Sequence, residues 1–269
     1  MQNKVILVTG ASSGIGECIA ESLAAAGYKV YAASRRVTTG HVRKGTIELQ
    51  MDVCDEASVQ KAIDYIRQKD GQLFGLINSA GLGMTGSIEF TSDQEARTLF
   101  DTNVFGVLNV CRAAIPLMRS QRNGYIINIT SIAAQMGLPY RGIYSSTKFA
   151  VEGFTESLSM EVSRFGIKVC IIEPGDFRTG INQNRLRAAA DDTLYYGTLH
   201  QDILEQVRQE VSTAPTPEII GKKIIKILRD PRPKLRYRIA SPKALLSYRL
   251  MRTLPSRWFE AIIRKYYKL

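Results

Sequence analysis

Histidines, paired cysteines and long apolar runs are scarce in this chain of 269 residues. Only His41 and His200 are present, which argues against a histidine-rich metal site, and we predict no bound metal. No run of about 18 uncharged apolar residues exists, which excludes a membrane-spanning helix. The N-terminal sequence MQNKVILVTG does not resemble a signal peptide, because its apolar stretch is short and leads directly into a glycine-rich turn.

The four cysteines lack the CxxC spacing that is typical of metal and redox sites. Each cysteine lies in an apolar segment of the sequence. This pattern favours buried, reduced thiols in a cytoplasmic protein. The cysteines are Cys18, Cys54, Cys111 and Cys170.

The positive charge of the chain is concentrated near its C-terminus. The whole sequence has 36 Lys and Arg against 25 Asp and Glu, a formal charge of +11. Residues 1–231 hold 25 basic and 24 acidic side chains, whereas residues 232–269 hold 11 basic side chains and only Glu260. The basic character therefore describes a tail. Its basic residues are Arg232, Lys234, Arg236, Arg238, Lys243, Arg249, Arg252, Arg257, Arg264, Lys265 and Lys268.

Short apolar runs alternate with longer segments of helical periodicity. Strands separated in this way need crossover helices, so the pattern predicts an α/β fold with a parallel sheet covered on both faces. The length is close to the roughly 250 to 300 residues at which a single core stops growing, so we expect one large domain. The predicted strands are 5–9, 29–34, 46–51, 73–78, 125–130 and 167–173, and the predicted helical segments are 16–26, 56–69, 95–118 and 144–165.

Beyond Pro174 the pattern loosens, and the segment 176–216 is polar and mixed. The Pro residues that follow limit the elements that can form, because proline interrupts both helices and central strands. The predicted elements in this part are helices over 199–211 and 217–228, an edge strand over 235–240, and two short amphipathic helices over 243–254 and 256–268.

A glycine-rich turn joins the first predicted strand to the following helix. Gly10, Gly14 and Gly16 have the spacing G-x3-G-x-G, which differs from the G-x-G-x-x-G fingerprint but permits the same tight turn and close backbone approach to a pyrophosphate. The N-terminus of the helix then faces the phosphate groups. The alternative interpretation is that these glycines only form a strand-to-helix turn.

Two arginines follow the second predicted strand, at the position that distinguishes the two nicotinamide dinucleotides. An acidic residue there would bind an adenosine ribose hydroxyl, but this chain has Ser34-Arg35-Arg36. Guanidinium groups bind phosphate in a bidentate manner, and Ser12 offers a further hydroxyl donor. The sequence therefore predicts NADP(H) as the cofactor. The alternative is that these are solvated loop charges.

Tyr144 and Lys148 are four residues apart and lie on one face of a predicted helix. A free phenol has a pKa of about 10, and we expect a neighbouring ammonium group and a cationic nicotinamide to lower it. A Tyr and a Lys four residues apart are common on helices. The pair indicates a catalytic site because it lies thirteen residues after Ser131. Ser131 follows a predicted strand and can bind a substrate oxygen. The three residues together predict proton transfer to a carbonyl oxygen.

At this point the sequence resembles the short-chain dehydrogenase/reductase family, over about residues 3–185. The resemblance implies a three-layer, doubly wound Rossmann fold with a mostly parallel sheet of about seven strands. It also implies catalysis by Tyr144 as the proton donor or acceptor. The motifs that carry the resemblance are TGASSGIG (9–16), Asp52-Val53, NSAG (78–81), Asn103, Ser131, YSSTK (144–148) and EPGDFRT (173–179).

The family implies a role for each matching residue. Ser131 would hold the substrate oxygen, Lys148 would bind the nicotinamide ribose and lower the pKa of Tyr144, and Asn103 would anchor a water that relays protons. These residues, with Tyr144, are the predicted catalytic group. The predicted cofactor-binding residues are Gly10, Ser12, Ser13, Gly14, Ile15, Gly16, Arg35, Arg36, Asp52, Val53, Asn78, Ala80, Gly81, Tyr144, Lys148, Pro174, Gly175 and Thr179.

Two segments depart from the family pattern. The usual Asn-Asn-Ala-Gly appears here with Ser79 at its second position, a change that keeps the first Asn and the small residues. After the Pro-Gly turn, Asp176 and Arg178 place charges near the nicotinamide. An alternative for Thr179 is a simple helix N-cap.

The resemblance places the substrate under a lid formed by about residues 180–214. Its apolar residues favour a lipid, steroid or retinoid-like carbonyl compound, although an ordinary packed subdomain would use the same side chains. We therefore predict an NADP(H)-dependent oxidoreductase that interconverts a carbonyl and a secondary alcohol. The alternative is a non-catalytic NADP(H)-binding sensor or scaffold. The apolar residues of the predicted lid are Leu186, Leu194, Tyr195, Tyr196 and Leu199.

We predict a dinucleotide-binding and catalytic domain over residues 1–240 and a basic helical extension over 241–269. The extension combines apolar stripes with basic residues, which fits a helix at the surface of an anionic membrane. The alternatives are packing on its own domain or across an oligomer interface. No recognition motif accompanies the charge, so we expect no nucleic-acid partner. We expect a cytoplasmic homodimer or homotetramer with peripheral membrane contact through this extension.

Overall fold

The computed structural model describes residues 4–179, 185–189 and 193–269 of the chain. The strands in this part of the chain are Val5–Thr9 (β1), Lys29–Ser34 (β2), Val42–Arg43 (β3), Thr46–Gln50 (β4), Gly75–Asn78 (β5), Met84–Thr85 (β6), Gly124–Ile129 (β7), Ile167–Pro174 (β8), Leu186–Arg187 (β9) and Arg236–Ile239 (β10). The α-helices are Gly14–Ala25 (α1), Glu56–Asp70 (α2), Asp93–Phe100 (α3), Gly106–Ser120 (α4), Gly142–Val162 (α5), Thr193–Tyr196 (α6), Leu199–Thr213 (α7), Glu218–Ile227 (α8), Pro242–Thr253 (α9) and Ser256–Tyr267 (α10).

Eight of these strands form one sheet in the order β10-β8-β7-β5-β1-β2-β4-β3. Neighbouring strands are parallel except β3 and β4, which form a short antiparallel hairpin. The chain starts in the middle of the sheet at β1, winds outward through β2 and β4, and returns to wind in the other direction from β5. The reversal between β1 and β5 is a topological switch point, where the carboxyl ends of the strands open a crevice.

Apolar side chains cover both faces of the sheet because successive strand residues point to opposite sides. In β1, Ile6 and Val8 pack beneath α1 and α8, whereas Val5 and Leu7 pack beneath α2, α4 and α5. The predicted three-layer, doubly wound Rossmann architecture is confirmed. The sheet has one strand more than the seven expected, because the two exposed residues of β3 follow no apolar pattern.

The predicted helix 95–118 is divided in the structure. A π-helical turn, Asp101–Phe105, joins α3 to α4 and carries Asn103. A π-helical turn shifts the following helix by one residue relative to a continuous α-helix, and such turns are frequent at functional sites. Helical periodicity in the sequence continues through the turn, which is why the sequence does not reveal it.

The four cysteines do not share one environment. Cys111 and Cys170 are buried as expected, but Cys18 is half-buried and Cys54 is exposed, so the prediction is wrong for Cys54. Cys54 lies in the turn after β4, where the chain leaves the sheet. In the described ranges no group of histidine, cysteine and carboxylate side chains is arranged to bind a metal. Within the same ranges no helix is long and apolar enough to cross a bilayer.

The C-terminal helices α9 and α10 pack against the rest of the chain. Arg141, at the start of α5, donates a hydrogen bond to the Tyr267 hydroxyl at 2.6 Å. The Arg238 guanidinium lies over the Tyr248 ring, 3.8 Å from its centroid. The structure therefore shows one of the alternatives considered for residues 241–269, namely packing against their own domain.

Candidate active site

A cavity of about 560 Å³ opens at the switch point between β1 and β5. The glycine-rich turn lines one side of this cavity, and the first turns of α5 line the other side. Most of the predicted cofactor residues line it, so the fold brings together positions from five separate strand ends. These residues are Gly10, Ser12, Ser13, Gly14, Ile15, Gly16, Arg35, Arg36, Asp52, Val53, Ala80, Gly81, Tyr144, Lys148 and Thr179.

The glycine-rich turn forms a concave cradle. Side chains larger than glycine at Gly10 or Gly16 would clash with the backbone around it. Gly10 has a positive φ of 65°, and a Cβ atom there would lie 2.6 Å from the Ala80 Cα atom. A Cβ atom on Gly16 would overlap the Gly10 carbonyl oxygen. The Thr9 hydroxyl accepts hydrogen bonds from the Ser79 and Ala80 amides at 3.1 and 3.0 Å, which fixes the two loops together.

The N-terminus of α1 faces this cradle, where its first backbone amides are available as hydrogen-bond donors. Its N-cap residue, Ser13, makes no side-chain hydrogen bond to the helix. The first amides of a helix lack intrahelical acceptors, and the helix dipole favours an anion at this end. The cradle therefore fits the pyrophosphate of a dinucleotide.

Arg35 and Arg36 follow β2 and are exposed at the edge of the same cavity, beside Ser12 and Ser34. The acidic residue that lines this cavity, Asp52, lies after β4, where its Oδ1 atom accepts a hydrogen bond from the Cys54 amide at 3.0 Å. The end of β2 therefore presents cations.

Asn78 is a predicted cofactor residue that does not line this cavity. It is buried, and its Nδ2 atom donates to the Asn128 Oδ1 atom at 2.9 Å and to the Cys111 sulfur at 3.4 Å. Asn128 donates in turn to the Thr155 hydroxyl at 2.8 Å. This network joins β5, β7 and α5, which places Asn78 in a structural position beneath the site.

Asn103 joins the loop after β5 to α5. Its Oδ1 atom accepts a hydrogen bond from the Leu82 amide at 2.7 Å, and its Nδ2 atom donates to the Leu82 carbonyl at 2.9 Å and to the Thr147 hydroxyl at 3.1 Å. Because Thr147 precedes Lys148, Asn103 sets the position of the helix turn that carries the lysine. The π-helical turn is what directs Asn103 inward.

Tyr144 and Lys148 extend from one face of α5 towards the ends of β7 and β8. The Lys148 ammonium group donates to the Ile129 carbonyl at 3.3 Å and lies 5.8 Å from the centroid of the Tyr144 ring. Ser131 begins a 3-10 turn after β7, and its hydroxyl accepts a hydrogen bond from the Ala133 amide at 3.1 Å. Ser131 lies close enough to the Tyr144 phenol to lower its pKa.

The electrostatics of Tyr144 and Lys148 are dominated by burial. Burial raises the pKa of the Tyr144 phenol, against the lowering effects of the Ser131 hydroxyl and of the charges on Arg141 and Arg185. Burial also lowers the pKa of Lys148 to about 8. The sequence predicted a lowered phenol pKa with a nicotinamide cation present; in the protein alone the phenol remains protonated near neutral pH, as a proton donor requires.

A second cavity of about 440 Å³ adjoins the first, with Ser131, Pro174 and Gly175 in its wall. Among the described residues, those that border both cavities are Ile15, Thr130, Tyr144 and Thr179. Tyr144 therefore stands where the two cavities meet, within reach of a molecule in either. Its partner Lys148 borders only the first cavity, and Ser131 borders only the second.

Sequence reasoning did not identify most of the wall of the second cavity. Helix α10 contributes Ile262, Ile263, Tyr266 and Tyr267, and α9 contributes Ala244 and Ser247. An amphipathic pattern shows that a helix buries one face but does not show what that face packs against. Charged residues also line the cavity. Of these, Asp176 is the one that the sequence analysis placed near the nicotinamide. The charged lining residues are Arg141, Asp176, Arg185, Glu210 and Lys243.

The predicted lid, residues 180–214, lines the second cavity, but with residues other than the five apolar ones named from the sequence. Residues 180–184 and 190–192 of the lid lie outside the described part of the chain. Of the five apolar residues named from the sequence, none lines the cavity; Leu194 and Tyr195 are exposed, and Leu186 pairs with Met84 in a small two-stranded sheet. The segment instead contributes Arg185, Glu210, Val211, Thr213 and Ala214.

Known proteins are similar to this chain in sequence and in fold. The short chain dehydrogenase family matches residues 4–190. A protein of Bacteroides thetaiotaomicron named 3-ketodihydrosphingosine reductase is 38% identical over 272 residues, which cover 100% of both chains. Retinol dehydrogenase 8 of Bos taurus is 31% identical over 87% of this chain and 81% of its own.

Solved structures agree with the fold. A short-chain dehydrogenase from Streptomyces avermitilis superimposes with a TM-score of 0.79 and 31% identity, over 90% of this chain and 89% of that chain. A short-chain dehydrogenase/reductase from Burkholderia phymatum, solved in complex with NAD, gives the same TM-score with 26% identity over 93% of each chain. The glycine cradle, the Ser131-Tyr144-Lys148 group and these similarities lead to one conclusion: the chain is an oxidoreductase that belongs to the short-chain dehydrogenase/reductase family.

Proposed function

We propose that this protein is an NADP(H)-dependent reductase that converts a ketone on a long-chain, lipid-like molecule into a secondary alcohol. The observation that carries the proposal is the position of Tyr144 at the junction of the dinucleotide cavity and the second cavity. A substrate carbonyl at this junction lies beside a proton donor on the one side and the cofactor cleft on the other.

The residues around the junction divide the chemical work. A bound nicotinamide dinucleotide supplies the hydride. Ser131 holds the substrate oxygen, and Tyr144 donates its phenolic proton to that oxygen as negative charge develops there. Lys148, with its pKa of about 8, remains largely protonated at neutral pH and stabilises the phenolate that Tyr144 leaves behind. Asn103 keeps the helix turn of Lys148 in place through Thr147.

Arg35 and Arg36 support NADP(H) as the cofactor. Both guanidinium groups stand at the end of β2, and Ser12 lines the cavity beside them. A 2'-phosphate would receive charge-assisted hydrogen bonds from this set, whereas an unphosphorylated ribose would leave it without an anion.

A substrate with a long apolar part and a polar end is supported by the second cavity. Ile132, Met136, Leu138 and Ile263 supply apolar lining, while Asp176 brings charge close to Tyr144. Two relatives carry names that refer to lipid-like carbonyl or alcohol compounds, 3-ketodihydrosphingosine and retinol. We propose 3-ketodihydrosphingosine, a long-chain ketone with a polar end, as the first substrate to test.

The catalytic part of the proposal is tested by Tyr144→Phe. Removal of the phenolic proton should lower kcat for ketone reduction by about 100-fold or more. NADPH binding, measured by titration of NADPH fluorescence, should be nearly unchanged. A variant with full turnover would refute the role of Tyr144. If the wild-type protein binds NADPH but oxidises it with none of a panel of long-chain ketones, aldehydes and retinoids, the non-catalytic sensor becomes the better description.

The cofactor part is tested by Arg35→Asp. The reversed charge should raise the Kd for NADPH roughly 10-fold to 100-fold and affect NADH much less, because hydrogen bonds to charged groups contribute roughly 1.5 to 3 kcal/mol. Arg229→Asp, at an exposed position after α8, is the matched control and should leave both constants unchanged. An unchanged ratio of the two constants in Arg35→Asp would remove the basis for NADP(H) preference.

We further propose that the protein is a cytoplasmic homodimer or homotetramer. Phe149 and Met160 are exposed along α5, and Phe105 is exposed at the start of α4, which gives this side of the molecule an apolar surface. Light scattering during size-exclusion chromatography measures the mass directly, and a monomer at micromolar concentration would contradict this proposal.

A further inference from the structure

An exposed apolar stripe runs along α10. Trp258 and Ile262 are 68% and 42% exposed, and their spacing of four residues places them on one side of the helix. Lys265, one turn further along, lies on the same side, and Leu269, 47% exposed, follows the end of the helix. The adjacent side of α10 is used for packing, since Phe259 and Tyr267 are buried. The stripe is therefore a second apolar face that the protein's own core does not cover.

Basic residues predominate in the segment that carries this stripe. Residues 241–269 contain seven basic side chains and one acidic side chain, Glu260, which already pairs with Arg264 at 2.8 Å. A surface with this balance attracts an anionic partner. The exposed basic residues of the two helices include Arg249, Arg252, Arg257, Arg264, Lys265 and Lys268.

The stripe borders the substrate cavity. Ile262 is part of the exposed stripe and also lines the second cavity, with Ile263 and Tyr266 following it inward. The wall of the cavity is thus one helix thick at this place, with an apolar surface outside and an apolar interior within.

We propose that α10 lies in the headgroup region of an anionic phospholipid bilayer, so that the second cavity exchanges its ligand with the lipid phase. An apolar stripe that includes a tryptophan and is flanked by lysine and arginine matches the composition of interfacial helices. Basic residues next to an anionic surface add electrostatic attraction. A nucleic acid would match the charge but would leave the stripe without an apolar partner. The exchange of ligand rests on the proposed lipid-like substrate, whereas the docking of α10 does not.

Trp258 makes the docking measurable, because it is the single tryptophan of the chain. On vesicles of phosphatidylglycerol and phosphatidylcholine, Trp258 emission should shift to shorter wavelength, and brominated lipids should quench it. Vesicles of phosphatidylcholine alone should produce neither effect at low salt. In sedimentation with the mixed vesicles, Lys265→Glu should weaken binding about tenfold or more. Trp258→Glu should weaken it similarly, and Ile219→Glu, which introduces the same charge at an exposed isoleucine of α8, should not.

Three results would overturn the proposal. The first is a wild-type protein that does not sediment with anionic vesicles at low salt. The second is sedimentation without any change in Trp258 emission, which would indicate charge adsorption alone. The third is an emission shift that depends on protein concentration in the absence of vesicles, which would indicate that a second copy of the chain covers the stripe.

An activity measurement separates this proposal from the proposed function. Trp258→Glu should reduce a water-soluble ketone at the wild-type rate but reduce a long-chain ketone embedded in anionic vesicles at least several-fold more slowly. Equal rates with the embedded ketone would contradict exchange with the lipid phase. If no ketone is reduced at all, the proposed function fails, while sedimentation and fluorescence still decide whether α10 docks.

Discussion

Asp176 and Arg185 act with opposite sign on the same phenol. Both line the second cavity near Tyr144, where the Asp176 charge raises the pKa of the phenol and the Arg185 charge lowers it. Burial raises this pKa further and is the largest effect. The protonation of Tyr144 is therefore set by its burial and by the charged residues that line the second cavity.

This arrangement predicts opposite changes in two pH profiles. Asp176→Asn removes a negative charge and should lower the pKa that governs kcat/KM for ketone reduction. Arg185→Gln removes a positive charge and should raise it. The profiles are measured with saturating NADPH, and Glu161→Gln, at an exposed position near the end of α5, is the control. Shifts in the same direction for both variants would contradict the electrostatic explanation.

At the scale of elements, the edge strand β10 is attached to the sheet by charge. Arg236 forms ion pairs with Glu173 at 3.0 Å and Glu152 at 2.9 Å, and it also contacts Glu156. Glu173 is fully buried, and Arg238 pairs with its second oxygen at 2.5 Å. Burial, followed by the charge of Glu152, raises the pKa of Glu173 to about 7. The arginines of β10 thus neutralise two neighbouring buried carboxylates.

Arg236→Ala should lower the free energy of unfolding by about 3 kcal/mol, because it removes the counter-charge of the buried Glu152 and leaves Arg238 as the one arginine that pairs with Glu173. A raised carboxyl pKa means that stability is retained at acidic pH and is lost as the pH rises through the folded-state value of about 7. Urea denaturation should therefore show a larger loss at pH 8 than at pH 5.5. The double variant Arg236→Ala, Glu152→Gln should recover part of the loss; no recovery would indicate that packing, and not charge, is responsible.

The elements were predictable where one local pattern decides them. The apolar runs of β1 and β7 and the glycine-rich turn have a physical cause within a few residues, and their positions followed from the sequence. The π-helical turn at Asn103 and the two-residue strand β3 have no such pattern. The packing of α9 and α10 against the cavity depends on distant partners such as Arg141, and a single sequence does not contain that pairing.

At the scale of the whole molecule, the two cavities are lined largely by different parts of the chain. No residue of 241–269 lines the dinucleotide cavity, whereas this extension supplies part of the wall of the second cavity. Binding of the dinucleotide and binding of the substrate are therefore built from different parts of the chain that meet at Tyr144.

Deletion of residues 241–269 should separate these two functions. The shortened protein should bind NADPH with a Kd within about threefold of the full chain, since binding affinity follows the contacts that remain. Its turnover of long-chain ketones should fall by about tenfold or more, because the open cavity no longer buries the apolar part of the substrate. NADPH titration and steady-state kinetics measure the two effects, with circular dichroism to confirm the retained fold. Loss of both functions together would contradict the division.

The end of the chain has a practical consequence for experiments. The Leu269 amide folds back on the Arg264 carbonyl at 2.9 Å, which leaves the last residue beside the exposed stripe and close to the cavity wall. A purification tag fused there would place a flexible polar peptide at the surface that vesicle and substrate measurements address. Strand β1 begins at the opposite edge of the sheet from the cavities, so a tag before residue 4 would avoid both. The choice of affinity handle thus decides whether recombinant protein reports the native surface.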